Sequence, residues 1–450
     1  MVQRRASIRR LTRQEFLLLG VGAGAGLTLA GCGGGPQNNP AVQGSQGGGG
    51  GRSYDGPQVE LAFWNGFTGG DGPFMRKLVE EFMAEHDNIA IKMNTIEWAD
   101  FYARTPSAVQ SGEGPDLAIM HSDQLGTNAA RNVIIPLDDV ASALNLKESD
   151  FAPVVWQAGI YNNQRFGIPL DMHPMIFYYN KALMEDAGLD PNKPPKNRED
   201  FTAALEEMKG QDIQGFWVSP FLFTGGLTWE SLLFQNGGSL YNEDVTQATF
   251  NSEAGVDALT FLVDMVENGY SPADVAQDAE FTAFQNGQNA FHFNGIWQLN
   301  ALREVQDLDL GVSPLPRIGD EEGAWSGSHN FVIMRQRTPD ENKLQASRVF
   351  INWISQNSLE WARAGQIPAR ASVRESAGFQ DLQPQATLAE QIPGFHFVPP
   401  VPGIGDVQPT TFEQAVNEAV LGQSSPKEAL DSAAERADQL LEENRQKYQA

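Results

Sequence analysis

Cysteine is nearly absent. The 450-residue chain carries one, Cys32, so no intrachain disulfide can form. Basic residues are also scarce, with 31 Lys and Arg against 57 Asp and Glu, a net charge of -26. That balance argues against nucleic acid or an anionic membrane surface as a partner. Apolar runs are short. The best of them, residues 16–30, is Gly-rich and below the ~20 residues that a comfortable membrane span needs. The six histidines show no metal-ligand spacing, so neither a metal site nor a cofactor is expected. There is no Walker lysine, no Gly-x-Ser-x-Gly elbow, no tandem repeat and no heptad run. The alternating glycines of residues 22–26 mimic a nucleotide loop but fall inside the leader described next.

What is present begins with a targeting segment. Arg4, Arg5, Arg9, Arg10 and Arg13 precede the apolar run, which ends Leu29-Ala30-Gly31-Cys32. This ending resembles a bacterial lipoprotein lipobox, with residues 1–31 removed and Cys32 lipidated. Residues 12–17 resemble a twin-arginine export signal with Gln14 in place of the second arginine, which leaves the Sec and twin-arginine routes open. Residues 32–56, rich in Gly, Asn and Gln, read as a flexible tether with a reach of roughly 25–30 Å. The expected location is extracytoplasmic, anchored to the outer face of the cytoplasmic membrane.

The folded part opens as β-α-β-α-β over residues 59–120. Val59 to Trp64 is a strand, Pro73 opens a helix striped by Phe74, Leu78 and Phe82, Ile89 to Ile96 is a strand, a helix covers Phe101 to Gln110, and Asp116 to Met120 is a third strand. This is the pattern of a mostly parallel sheet covered by helices, in which ligands bind beyond the carboxyl ends of the strands. Those ends are Trp64-Asn65 and His121-Ser122-Asp123. The stretch Phe166 to Gly188 then reads as two strands interrupted at Pro174, with Asp171 and His173 facing a gap between two bodies and Asn180 capping a helix. Farther on, Asn197 caps a helix from Phe201, Thr228 to Gln235 is a helix, and residues 310–315 and 330–334 are strands flanking a Gly-Ser loop at Trp325 to His329. Pro426 opens a last amphipathic helix.

Several short motifs recur in one order. They are Gly114-Pro115-Asp116, Ile168-Pro169 with Tyr178-Tyr179-Asn180-Lys181, Asn236-Gly237-Gly238, Phe284-Gln285-Asn286-Gly287, Asn294-Gly295-Ile296-Trp297 and Gly365-Gln366-Ile367-Pro368-Ala369. Together they make residues 59–445 similar to the extracellular solute-binding proteins of ABC importers, the carbohydrate-type family that includes maltose-binding proteins. Asn197-Arg198 departs from that pattern, where the family has Thr-Trp. The resemblance implies an α/β, two-lobe, periplasmic-binding-protein-like (type II) fold with a hinge and an interlobe cleft. It puts lobe 1 at residues 57–170 plus 296–335 and lobe 2 at 171–295 plus 336–450.

Sugar recognition needs flat apolar faces for the pyranose and donors and acceptors for its hydroxyls. Position alone nominates Trp64, Asn65, His121, Asp171, His173 and His329. The resemblance adds Trp297 as a stacking tryptophan, Trp229, Asp123 as a carboxylate accepting from hydroxyls, and Phe412. It also implies a monomeric receptor for a sugar or oligosaccharide, delivered to the transmembrane subunits of a permease without covalent chemistry. The alternatives are a surface glycoside hydrolase, a non-transporting carbohydrate sensor, or a different solute such as a polyol, glycerol phosphate or peptide.

Overall fold

The computed structural model describes residues 53–220 and 223–449. The leader, Cys32 and most of the tether lie outside the described residues. Among those described, no helix is long and apolar enough to cross a membrane.

Two sheets carry the fold. The strands, in chain order, are β1 (Val59–Asn65), β2 (Ile89–Thr95), β3 (Leu117–His121), β4 (Ile160–Tyr161), β5 (Gln164–Arg165), β6 (Ile168–Pro169), β7 (Asp171–Asn180), β8 (Phe291–Gly295), β9 (Leu310–Ser313), β10 (Ala324–Gly327), β11 (His329–Ile333), β12 (Ile367–Pro368) and β13 (Phe395–His396). The first sheet has the order β2-β1-β3-β11-β6, parallel through β1, β2 and β3 and antiparallel at β11 and β6. Helix Gly72–Glu85 follows β1, starts on Pro73 and buries Met75, Leu78, Val79 and Phe82. Helix Trp98–Ser111 begins where the Glu97 carboxylate accepts from the N–H groups of Ala99 and Asp100. The Gly-Pro-Asp motif has a structural task. The Asp116 carboxylate accepts from Ala62 N–H at 2.8 Å and from Lys343 Nζ at 3.0 Å, tying β3 to β1 and to helix Glu341–Gln356.

The second sheet is built on β7, whose ten residues are all buried. Pro174 does not break it, contrary to the two-strand reading. β7 runs unbroken past the proline, with His173 and Pro174 opposite Gly327 and Ser326 of β10, and Met172 opposite Ile367 of β12. Its second half pairs with β8 and β9. Residues 325–327, read as loop, are therefore strand, because the antiparallel partner comes from a segment some 150 residues distant in the chain, invisible to local pattern. β9 and β10 both pair with β7 and so lie on the second sheet, whereas the lobe limits placed residues 310–313 and 324–327 in lobe 1. Helix Glu341–Gln356, placed in lobe 2, packs on β1 and helix Gly72–Glu85 of the first sheet, where Phe350 meets Phe63 and Phe82. The final helix Pro426–Gln449 starts on the proline that signalled it.

Candidate functional site

β3 ends at His121 directly opposite His329, the first residue of β11. Cross-strand partners send their side chains to the same face, so the two rings lie together at the carboxyl end of the parallel strands. Their centroids are 4.9 Å apart. The start of β7 brings His173 to 4.3 Å from His329 and 5.7 Å from His121. One ring nitrogen of each histidine lies within 4.8 Å of those of the other two. Widely separated in sequence, the three residues form no local motif, which is why spacing did not disclose them.

Asp171 is the hub beneath these rings. Fully buried, it accepts from His329 N–H at 3.0 Å, His329 Nδ1 at 2.7 Å, His173 Nδ1 at 3.2 Å and the Trp361 indole N–H at 2.7 Å. Burial favours its neutral form, but His329 and the hydrogen bonds from both histidines outweigh that and hold the carboxyl well below the usual range. It faces its neighbours rather than an open gap. Burial, with the neighbouring His329 adding to it, pushes His173 down to about 4, and burial lowers His121 as well. Tyr102 Oη lies 2.7 Å from His121 Nδ1 and accepts from the His121 backbone N–H at 3.0 Å.

Aromatic rings enclose the cluster. Trp98 stacks parallel to His329 with centroids 5.7 Å apart and 4.3 Å from His121, and Phe67 packs 4.9 Å from His329. On the other side Trp297 and Trp325 lie 5.9 and 6.0 Å from His173 and meet edge to face. Trp297 is half-buried and lies over Gly295, where a Cβ would sit 2.0 Å from the indole. Phe223, at φ +77 and 53% exposed, presents its ring 5.8 Å from Trp297. A bulky residue in that backbone region is strained, as is common beside ligand sites.

Polar groups complete the arrangement. Helix Thr224–Gln235 carries Glu230, fully buried, whose two carboxylate oxygens have no hydrogen-bond partner among the described residues. Burial, then the nearby Glu413 and Asp123, pushes its pKa well above 4.5. Burial raises Glu413 and Asp123 also. Glu413 accepts from Phe223 N–H at 3.0 Å, and Asp123 accepts from Gln124 Nε2 at 2.9 Å. The Trp325 indole N–H is buried and likewise without a partner. The neighbour Ser231 receives the Trp325 backbone N–H at 3.0 Å, so β10 fixes Trp325 against the helix that carries Glu230. A groove of about 230 Å³, lined by Tyr102, Ala103, Gln124, Asn128, Gly405 and Asp406, borders this region.

Of the residues nominated from sequence, His121, Asp123, Asp171, His173, Trp297 and His329 meet here. Trp64 is half-buried and packs against the cluster around Phe101 and Met120. Asn65 is buried and holds its own turn, accepting from Phe67 N–H and Thr95 Oγ1 at 3.2 Å each. Trp229 and Phe412 are different. Both are 0% exposed and pack on each other and on Phe250, with the Trp229 N–H donating to the Gly255 carbonyl. That placement makes them core side chains with no face for a ligand, because helices Thr224–Gln235 and Phe412–Val420 bury them between one another. Trp98, Tyr102, Glu230, Trp361 and Glu413 belong to the region but were not nominated. Glu230 could have been suspected as a lone acid on an otherwise apolar helix. The others carried no local signal.

Comparison with known proteins agrees with this architecture. Residues 77–386, more than half of the chain, match the family described as bacterial extracellular solute-binding protein. The sn-glycerol-3-phosphate-binding periplasmic protein UgpB of Pectobacterium atrosepticum is 25% identical over 414 residues, covering 85% of this chain and 91% of that protein. Among solved structures, the cyclic alpha-maltosyl-1,6-maltose binding protein of Arthrobacter globiformis is similar with TM-score 0.73 and 22% identity, covering 86% of this chain and 100% of that one. The GacH receptor of Streptomyces glaucescens, solved unliganded and with acarbose, gives TM-score 0.75 at 20% identity, covering 86% of this chain and 99% of that one. The two-lobe α/β fold of the solute-binding proteins is thus shared over nearly the whole described chain, and the chain belongs to the bacterial extracellular solute-binding protein family.

Proposed function

We propose that the protein is the receptor of an ABC importer and binds a sugar or oligosaccharide between its lobes. The observation that carries the reading is Glu230. A carboxylate buried with both oxygens unpartnered is costly, and hydroxyl donors from a solute would satisfy it once movement of the lobes opens Glu230, closed to solvent in this structure, to the cleft. Asp123, Glu413 and the Trp325 N–H add acceptors and a donor, while Trp297, Trp325 and Phe223 supply the flat apolar faces that pyranose C–H surfaces prefer. The solute would touch both lobes only when they are closed, so its differential affinity would drive closure and present the closed form to the permease. The curated relative named above binds sn-glycerol 3-phosphate. Three carboxylates crowded around the region oppose a phosphate here, and a neutral polyhydroxylated solute fits them better.

The same carboxylates would be required by a glycoside hydrolase, which needs one raised acid and one ionised partner. Burial raises all three alike, so no one of them is set apart as a nucleophile beside a raised acid, and binding without cleavage is the better reading. Attachment to the membrane through a lipidated Cys32, action as a monomer, and docking of both lobe surfaces on permease transmembrane subunits complete the proposal.

The test is a calorimetric and tryptophan-fluorescence titration against monosaccharides, oligosaccharides and glycerol phosphate, with the mixtures analysed for products. Saturable binding of an intact sugar, lost in Trp297→Ala, supports the receptor. Binding of glycerol phosphate alone would replace the sugar, and cleaved sugar would sink the receptor reading.

A further inference from the structure

We propose that His121, His173 and His329 form a mononuclear site for a divalent first-row transition ion of the zinc class. Three imidazoles leaving one position open is a common donor set for such an ion. Here one nitrogen from each ring already falls within 4.8 Å of the others. On a tetrahedral centre with bonds of about 2.0–2.1 Å the nitrogens stand roughly 3.3 Å apart, so small side-chain rotations would close the set.

The surroundings orient the rings as ligands rather than merely burying them. A ligating histidine characteristically donates its second ring N–H to a carboxylate or another oxygen. Asp171, an acceptor only, receives Nδ1 of both His173 and His329, which leaves Nε2 of each with its lone pair. Tyr102 Oη stands 2.7 Å from Nδ1 of His121 and can accept from it together with the backbone N–H of that residue, since a hydroxyl has two acceptor lone pairs. Asp171 itself is saturated by four donors and serves the rings instead of the ion. Phe67, Trp98 and Trp361 pack around the set and exclude water from its back. The position opposite would take water or an oxygen of the solute. The site stands or falls independently of which solute the receptor carries.

The experiment uses the full chain with Cys32→Ser, so that no thiol competes, stripped with chelator and titrated with Zn²⁺ against a chromophoric indicator and with Co²⁺ alone. One equivalent of zinc and the intense visible absorption of four-coordinate cobalt are expected. His121→Gln and His173→Gln should each weaken zinc binding by about 100-fold or more, and Asp171→Asn by about 10- to 100-fold. His86→Gln, on a distant helix end, should leave it unchanged. Weak cobalt absorption of the octahedral kind, or zinc affinity unaltered in both His121→Gln and His173→Gln, overturns the site. Should those variants lose their cooperative melt, the wild-type cobalt spectrum and the imidazole NMR shifts on adding zinc decide it, and three histidine rings unmoved by zinc overturn it equally.

Discussion

Replacing Glu230 by Gln tests whether the protein maintains a destabilising group in order to bind. In the folded chain both oxygens of Glu230 are buried without partners, and burial with Glu413 and Asp123 raises its pKa well above 4.5. A raised acid contributes its full stability below the unfolded pKa, and that contribution is lost as the pH climbs toward the folded value. Wild-type stability should therefore decline with a slope of up to 1.36 kcal/mol per pH unit from about pH 4.5 upward, relative to a variant lacking the proton. Glu230→Gln keeps the shape and removes the charge. Its melting temperature should match wild type near pH 4 and exceed it at neutral pH by an amount worth about 1–3 kcal/mol, or roughly 2–6 °C. Sugar affinity should fall by about 10- to 100-fold, the worth of a hydrogen bond to a charged acceptor. The assay is differential scanning calorimetry from about pH 4 to about pH 8, paired with sugar titration at neutral pH. Melting curves displaced equally at every pH, together with unaltered sugar binding, would refute the reasoning, because Glu230 would then be neither strained nor used.

Three further outcomes follow from the same structure. Gly295→Ala, measured by calorimetric titration, should weaken sugar binding about tenfold by forcing the Trp297 indole off its seat 2.0 Å away. Trp229→Ala should lower stability by about 3–5 kcal/mol in denaturant melts without selectively changing ligand affinity, since the side chain is core. Burial pushes His292 down to about 3, so its contribution to stability is complete above pH 6.5 and is lost as the pH falls toward 3. His292→Phe, which keeps the stack on Phe284, should shed most of an acid-linked loss of at most about 5 kcal/mol, read from denaturant midpoints at acid and neutral pH.

Legibility was uneven, and the reason is the range of each interaction. Capping, helical periodicity and the β-α-β-α-β opening act over a few residues, so Asn180, Asn197 and Pro426 mark the helix starts found at those places. The ordered motifs from Gly114 to Ala369 made the family resemblance legible, and residues 77–386 match it. Pro174 misled because a proline is a breaker only in a strand whose partner needs its N–H, and which partner β7 takes there depends on residues 326 and 327. Trp229 and Phe412 misled for a related reason. An aromatic after a Gly-rich loop is placed in cleft or core by the helices that fold over it, and here two helices close on both rings.

The sequence by itself determined the fold class, the family and the acidic body, because each leaves a composition, a local pattern or an ordered motif; it nominated six of the side chains that converge but not their convergence. Only the tertiary structure decided that His121, His173 and His329 share one face above Asp171, that Glu230 stands buried beside Glu413 and Asp123, and that Trp325 lies on a strand beside Trp297. Those relations depend on strand register and on contacts between residues more than a hundred positions apart, set by the burial and pairing of whole elements rather than by any single stretch of chain.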